Sequence, residues 1–236
     1  MQRQQELKQQ GVELYVLVAP DSHTIYSEYL PDYLHQQPAV SRLDRLKQEV
    51  AKTDLHFTDL RDTLRIAKRS HVVYYQTDTH WNEYGTLVGC ATLLKAVKQN
   101  RLSLPPVRLS NYRIEKQQRG VSGDLINMLM LQDRYPTDRF CYAIKPVPNY
   151  MGRQVSVVLD KETALPSTRF MGAGSDKLLL IGDSFSEGMM QYLAGYFHES
   201  YFVRDSKLDR SLVKTEHPAI VVIEIVERNI SQLARF

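Results

Sequence analysis

Three short runs of apolar residues constrain the fold of this chain more than any other feature. They cover residues 12–19 (VELYVLVA), 177–184 (KLLLIGDS) and 219–226 (AIVVIEIV). Runs of this length, rich in Val, Ile and Leu, are typical of strands buried on both faces of a sheet. Residues 199–205 (ESYFVRD) are a fourth candidate strand.

Segments with helical patterns lie between these candidate strands. Residues 41–52 are amphipathic at helical spacing, residues 83–98 continue a helix that Asn82 is placed to cap, and residues 184–197 again have a helical pattern. Strands that alternate with helices predict an α/β fold with three layers, in which helices cover both faces of a mostly parallel sheet.

Residues 105–172 differ from the rest of the chain because they hold six of its ten prolines. We expect an irregular, strand-containing insertion there. The length of 236 residues, 43% of them hydrophobic, suits one domain that spans residues 1–236 and contains this insertion.

Charge and composition exclude several classes of protein. The net charge of +3 is too small to indicate a nucleic-acid partner. No apolar run reaches the roughly 18 residues of a membrane span. The polar N-terminal segment reads as the end of a longer helix and lacks the apolar core of a secretory signal.

Cys90 and Cys141 fit neither a disulfide framework nor a metal site, although whether they pair stays open. Cys90 is predicted to lie in the core.

An acid and a histidine flank one residue in the segment 74–85 (YYQTDTHWNEYG). If the segment is extended, Asp78 and His80 project to the same side, and the carboxylate can orient the imidazole. An oriented histidine is one half of an acyl-transfer site. The alternative is that Asp78 and Thr79 only turn or cap the chain before the next helix.

A serine follows a candidate strand in residues 181–188 (IGDSFSEG). Ligands bind at the carboxyl ends of strands in open α/β sheets, so Ser184 is well placed to act as a nucleophile. Its own backbone N–H is a candidate donor to an oxyanion. The alternative is that Asp183 and Ser184 simply begin a helix.

The two motifs together resemble the alginate O-acetyltransferase branch of the SGNH hydrolases. GDSFS is similar to the nucleophile block of SGNH hydrolases, and TDTHWNEYG is similar to the Asp-x-His motif of the branch. In ordinary SGNH enzymes the Asp and His follow the serine, whereas in this branch, as here, they precede it in a circularly permuted order. Further matches are residues 19–31 (APDSHTIYSEYLP), 122–125 (SGDL) and 220–230 (IVVIEIVERNI).

The resemblance implies an SGNH-like fold and an O-acetyltransferase that acts on an extracytoplasmic polysaccharide through an acetyl-serine. Ser184 would be the nucleophile, His80 the base and Asp78 its orienting group. It further implies a membrane-bound O-acyltransferase that supplies acetyl groups, and a membrane anchor outside this sequence. An acetylesterase with the same three residues and a non-catalytic carbohydrate-binding module are the alternatives.

Two departures from the family pattern matter. Ser22 stands where the branch often has a lysine, and no GxND-like block is present, so the second oxyanion donor is unassigned.

Four further residues are candidates for substrate binding: Trp81, Tyr26, Asp124 and Arg228. Aromatic rings suit stacking on sugars. Arg228, with Glu224 and Glu227, lies at the carboxyl end of a candidate strand. Packing in the core is the alternative for the aromatic residues, and a turn or cap is the preferred reading of Asp124. No histidine spacing indicates a metal site, and we expect neither a metal nor another cofactor.

Overall fold

Strands from both ends of the chain meet in one central sheet. The computed structural model describes residues 2–34, 40–101, 103–118, 120, 122–134, 140–146, 152–159, 166–205 and 210–235. The strands are β1 (Glu13–Ala19), β2 (His56–Asp59), β3 (Tyr112–Gln117), β4 (Cys141–Pro146), β5 (Arg153–Leu159), β6 (Pro166–Met171), β7 (Lys177–Gly182), β8 (Glu199–Arg204) and β9 (Ile220–Val226).

The central sheet contains seven of these strands in the order β2-β1-β9-β7-β8-β6-β5. The first five are parallel to their neighbours, whereas β6 and β5 are antiparallel. The carboxyl ends of β1, β9 and β7 therefore lie side by side, and this edge is where an open α/β sheet binds its ligands.

The helices are α1 (Gln2–Gln9), α2 (Ser22–Ile25), α3 (Arg42–Val50), α4 (Arg61–Ala67), α5 (Glu83–Asn100), α6 (Asp124–Met128), α7 (Met190–Leu193) and α8 (Arg210–Glu216). Short 3₁₀ segments cover Ser27–Tyr29, Asp32–Leu34, Leu109–Asn111, Ser184–Ser186, Ala194–Tyr196 and Glu227–Arg235. Asn82 caps α5 as expected, because its side-chain oxygen accepts hydrogen bonds from the N–H groups of Tyr84 and Gly85.

Alternate residues of the buried strands pack on opposite faces of the sheet. On one face Tyr15 and Leu17 pack with α4, α5 and α7, and on the other Leu14 and Val16 pack with Leu7 of α1 and Val213 of α8. Helices thus cover both faces, and the predicted three-layer α/β class with a mostly parallel sheet is confirmed.

The region 105–172 divides into two parts, and several of its residues lie outside those the structure describes. Strands β3 and β4 form a separate antiparallel pair. Strands β5 and β6 instead extend the central sheet from β8. The second part is therefore an edge of the core sheet and does not stand apart from it.

The segment 184–197 differs from the single helix expected there. It contains two 3₁₀ segments around the four-residue α7. Asp183 caps the first of these segments, because its side chain accepts from the Phe185 N–H.

Both cysteines are free thiols, with Cys90 buried in the core as predicted and Cys141 half-buried. Across the described residues, no helix has the length and apolarity that crossing a membrane requires.

Candidate active site

The structure brings Asp78 and His80 into direct contact. His80 Nδ1 lies 2.6 Å from Asp78 Oδ1, and the same oxygen accepts a 3.0 Å hydrogen bond from the His80 backbone N–H. The local backbone is a series of bends, so the expected extended conformation is wrong. The side chains meet because the Asp78 carboxylate folds back over the amide two residues on, as aspartates in turns often do.

Ser184 lies on the other side of the imidazole. Its Oγ is 2.7 Å from His80 Nε2, across 104 positions of sequence. Ser184 begins the 3₁₀ segment that follows β7, at the carboxyl edge of the sheet. Serine, histidine and aspartate are thus linked in series, in the order that general-base activation of a hydroxyl requires.

Asp183 fixes the turn that carries Ser184. One carboxylate oxygen accepts from the Phe185 N–H at 2.9 Å, and the other accepts from the Val226 N–H, at the end of β9, at 3.0 Å. The turn is therefore tied to the neighbouring strand as well as to its own.

Asp124 lies beside the imidazole of His80. The sequence favoured a cap or turn residue at this position and did not predict this contact. Its carboxylate accepts from the Thr79 N–H at 2.7 Å and from the Thr79 hydroxyl at 2.5 Å, and it lies 3.6 Å from His80 Nδ1. Its own N–H donates to Asp78 Oδ2 at 3.3 Å. The start of α6 thus holds the Asp78–His80 segment from outside. Because Thr79 binds both carboxylate oxygens, we assign Asp124 a supporting role for this segment. Its role in substrate binding stays a prediction.

The surroundings of Asp78 favour its ionised form. Partial burial alone would raise its pKa, but the hydrogen bonds from the His80 ring and amide and from the Asp124 amide outweigh burial and lower the pKa of Asp78 to about 2. The Asp78 side chain is 12% exposed and that of His80 is 28% exposed. A charged carboxylate therefore faces Nδ1 while the other side of the ring stays accessible.

Two backbone N–H groups near the Ser184 hydroxyl differ in whether they already donate a hydrogen bond. The Phe185 N–H is already bound to Asp183. The Ser184 N–H donates to no acceptor within the described part of the chain, which leaves it available for the oxyanion role expected of it. The second oxyanion donor is still unassigned.

Trp81 was expected to line the substrate pocket or pack in the core, and the structure places it in the core. It is 4% exposed, its ring lies 5.5 Å from that of Phe185, and its indole N–H donates to the Phe185 carbonyl at 3.0 Å. Of the two expectations the structure thus shows core packing for Trp81, and its indole N–H is bound to the backbone of the turn that carries Ser184.

Glu224 is buried beneath the turn that carries Ser184. It is 1% exposed, and its Oε2 accepts a 2.6 Å hydrogen bond from the Ser186 hydroxyl. Burial, together with the nearby Asp183 carboxylate, raises the pKa of Glu224 well above its usual value and favours the protonated acid. Gly182 belongs to this contact, because a Cβ there would lie 2.0 Å from Ser186 Oγ and 2.9 Å from Glu224 Oε2.

The remaining candidates lie nearer the surface. Arg228 pairs with Asp21 at 2.5 Å, its guanidinium lies 5.3 Å from the centre of the Phe185 ring, and its side chain is 42% exposed. Tyr26 is half-buried, and its hydroxyl accepts from the Val73 N–H at 3.0 Å. Glu227 is occupied by the Asp21 N–H and the Thr24 hydroxyl.

Sequence reasoning missed the supporting residues Thr79, Asp183, Phe185 and Ser186. Glu224 had a visible signal, since it is the single acid within the apolar run at 219–226.

Ligand atoms of Asp78, His80 and Asp124 lie within 4.8 Å of one another, a spacing that a metal ion can also use. Asp78 and His80 are however joined to each other and to Ser184, and Asp124 is held by Thr79. The hydrogen bonds of these side chains are thus explained without an ion, and the expectation of no metal stays a prediction.

The fold and this geometry are those of the class of α/β proteins with a Ser-His-Asp site at the carboxyl edge of a parallel sheet. Within that class, residues 1–201 match the family described as SGNH hydrolase-like domain, acetyltransferase AlgX. The chain belongs to this family.

Named relatives agree with this assignment. The chain is 28% identical over 195 residues to the probable alginate O-acetylase AlgJ of Pseudomonas aeruginosa, covering 78% of this chain and 46% of the relative. The chain thus spans about half the length of the curated relatives it matches.

Solved structures share the fold at lower identity. Bacillus cereus PatB1 superposes with a TM-score of 0.73 at 15% identity, covering 97% of this chain and 87% of that one. The O-acetyltransferase domain of Pseudomonas putida AlgJ gives 0.62 at 21% identity, covering 96% and 79%.

Proposed function

We propose that this protein is an O-acetyltransferase that moves an acetyl group, through an acetyl-serine, onto a hydroxyl of an extracytoplasmic polysaccharide. The observation that carries the proposal is the hydrogen-bonded series from Ser184 through His80 to Asp78. Membership of an acetyltransferase family supports the choice of acetyl as the group transferred.

In the first half-reaction Ser184 Oγ attacks the carbonyl carbon of the acetyl donor. His80 Nε2 takes the serine proton, and Asp78 holds the Nδ1–H and stabilises the imidazolium. The Ser184 N–H donates to the oxyanion. When the tetrahedral intermediate collapses, the bond to the leaving group breaks, and that group takes the proton from His80.

In the second half-reaction a sugar hydroxyl attacks the acetyl-serine carbonyl and gives its proton to His80 Nε2. The bond between the acetyl carbon and Ser184 Oγ then breaks, and the serine regains a proton from His80. The acetyl group ends on the sugar, and the enzyme is restored without a cofactor.

The curated relatives named probable alginate O-acetylase support a polysaccharide acceptor. By the same resemblance, the acetyl donor is supplied by a membrane-bound O-acyltransferase, and the site of action is outside the cytoplasm. We propose no nucleic-acid partner, since the net charge of +3 gives no basis for one.

An acetylesterase is the second candidate, because 28% of the His80 side chain is exposed and water can reach the base. Water would then replace the sugar hydroxyl in the second step. A purely carbohydrate-binding function does not need three residues linked in this order.

The experiment is to incubate the protein with a small acetyl ester and to measure acetate release and acetylation of Ser184 by mass spectrometry. Wild type should turn over the ester and carry one acetyl group at Ser184, and Ser184→Ala should do neither while keeping its circular dichroism. Ser211→Ala, on the exposed surface of α8, is the matched control. Equal turnover by wild type and Ser184→Ala would remove Ser184 from the mechanism.

A further inference from the structure

A pocket of about 460 Å³ lies beside the Asp78–His80 segment. Its walls include Ser22, Tyr26, Tyr29, Tyr74, Tyr75 and Gln76, and we call it the tyrosine pocket. Its volume is within the usual range for small-ligand sites. A cavity of about 510 Å³ elsewhere contains no residue of the catalytic site and is lined by the apolar residues Leu14, Val16 and Ile223 on the other face of the sheet.

The two sides of the tyrosine pocket are linked to the catalytic site, one through the backbone and the other through a chain of side-chain contacts. One wall, residues 74–76, runs into Asp78, and the Tyr75 N–H donates to the His80 carbonyl at 3.3 Å. The opposite wall begins at Ser22, next to Asp21, whose partner Arg228 lies over the ring of Phe185. The pocket therefore lies on the same edge of the sheet as Ser184.

The aromatic side chains of this pocket form a fixed base and an exposed ring. Tyr26 is held by the Val73 N–H, by the edge of the Tyr74 ring at 6.3 Å, and by Lys68 Nζ at 4.9 Å from its ring centre. Tyr29 stacks on Tyr26 with the ring centres 6.1 Å apart and the planes at 22°, yet it is 80% exposed. An exposed ring supported from behind presents a flat apolar face to a ligand.

The rest of the lining mixes polar and apolar side chains. Ser22, His23 and Gln76 are polar, Leu30 and Val72 are apolar, and no Asp, Glu, Lys or Arg lines the described part of the pocket. Nearby cations are already paired, Lys68 with Glu28, Arg65 with Asp62, and Arg228 with Asp21. Aromatic faces with hydroxyl and amide partners match a pyranose ring, which has one apolar C–H face and a hydroxyl rim.

We propose that the tyrosine pocket binds a pyranose unit of the acetyl acceptor, stacked on Tyr29, and so delivers a neighbouring hydroxyl to the acetyl-serine. The proposal rests on the transferase function proposed above. Bound there, the sugar hydroxyl oxygen forms the new bond to the acetyl carbon, its proton passes to His80 Nε2, and the bond to Ser184 Oγ breaks.

The test measures binding of hexasaccharides of cellulose, chitin and alginate to the unreacted protein by calorimetry. At least one should bind wild type, and Tyr29→Ala should weaken that binding about tenfold, whereas Tyr29→Trp should restore it. Tyr33→Ala is the matched control, since Tyr33 is 73% exposed and lies four residues away in the chain but does not line the pocket. Comparing the neutral oligosaccharides of cellulose and chitin with the uronic acid oligosaccharide of alginate shows which class of pyranose the pocket binds.

With acetyl ester present, the ratio of acetylated oligosaccharide to free acetate should also fall about tenfold in Tyr29→Ala and stay unchanged in Tyr33→Ala. Binding that is unaffected by Tyr29→Ala, or a wild type that binds none of the three oligosaccharides, would overturn the pocket assignment. Failure of the proposed function looks different, because wild type would then form no acetyl-serine from the small ester whatever Tyr29 does.

Discussion

Ser186 donates a 2.6 Å hydrogen bond from its hydroxyl to Glu224 Oε2, and this contact joins the turn that carries Ser184 to strand β9 of the central sheet. Both side chains are buried, at 0% and 1% exposure. Ser184 lies two residues before Ser186, so the position of the nucleophile depends on a contact that never touches substrate. Its partner is an acid whose pKa is raised by burial and by Asp183.

We expect Glu224→Gln to keep ester turnover within about threefold of wild type, since the neutral amide retains an oxygen that can accept from Ser186. Glu224→Ala should lower turnover on the order of tenfold and destabilise the fold by about 1–3 kcal/mol, because it leaves a buried hydroxyl without its acceptor. Turnover and urea denaturation check both variants. Glu187→Ala, a 46% exposed acid on the same turn, is the control. A Gln variant as impaired as Ala would show that an ionised carboxylate is required.

Replacing Asp124 tests whether the start of α6 supports catalysis. Asp124→Ala removes the acceptor of the Thr79 N–H and hydroxyl, so turnover of a small ester should fall on the order of tenfold. Asp124→Asn keeps one oxygen for the Thr79 N–H and should lie within a few-fold of wild type. If Asp124 were only a turn or cap residue, Asp124→Ala would lower the melting temperature without lowering turnover in the folded protein.

The strands were predictable because their signal is local. β-branched and leucine-rich runs marked β1, β7, β8 and β9 within one or two residues, and Asn82 marked the start of α5. The strands β5 and β6 were expected only in general terms, as part of an irregular, strand-containing insertion. Where the structure describes their side chains, at residues 153–158 and 167–171, these are exposed or half-buried at one edge of the sheet, where burial imposes no apolar pattern.

The residues of the candidate site were visible in sequence, but their supporting contacts were not. Asp78, His80 and Ser184 are recognisable because their chemistry needs those residue types. Asp124 meets Thr79 across 45 positions, and Glu224 meets Ser186 across 38. Such pairings follow from the order of strands and from the path of the region 105–172, which no local pattern specifies.

Chelation tests the expected absence of a metal. The proposed mechanism uses only an oriented histidine and a serine, so EDTA should leave ester turnover unchanged, and added Zn²⁺ or Mg²⁺ should not increase it. Because Asp78, His80 and Asp124 are close enough to bind a cation, inhibition by excess Zn²⁺ would be consistent with this prediction. Activity that is lost on chelation and restored by one divalent ion would contradict it.

Asp78→Asn should lower ester turnover by about 10²–10³ while keeping the fold. An amide still accepts a hydrogen bond, but it does not stabilise the imidazolium and it favours the wrong imidazole tautomer. In serine proteases with a Ser-His-Asp triad the same change lowers turnover by about 10⁴, and the partial exposure of His80 here argues for a smaller loss. If Asp78 were only a cap or turn residue, Asp78→Asn should leave turnover nearly unchanged, because asparagine caps as well as aspartate does.

The pH dependence of stability gives a second measurement for the Asp78→Asn variant. The pKa of Asp78 is lowered in the folded protein to about 2, below its unfolded value of about 3.9. A lowered carboxyl pKa stabilises the fold fully above the unfolded pKa, and the contribution is lost as the pH falls towards the folded pKa. The difference in unfolding free energy between wild type and Asp78→Asn should therefore shrink as the pH falls from about 4 to about 2. Urea denaturation at several pH values measures it, with Asp62→Asn, a carboxylate exposed on α4, as the control. A difference that does not change with pH would mean that Asp78 is not held as a charged partner of His80.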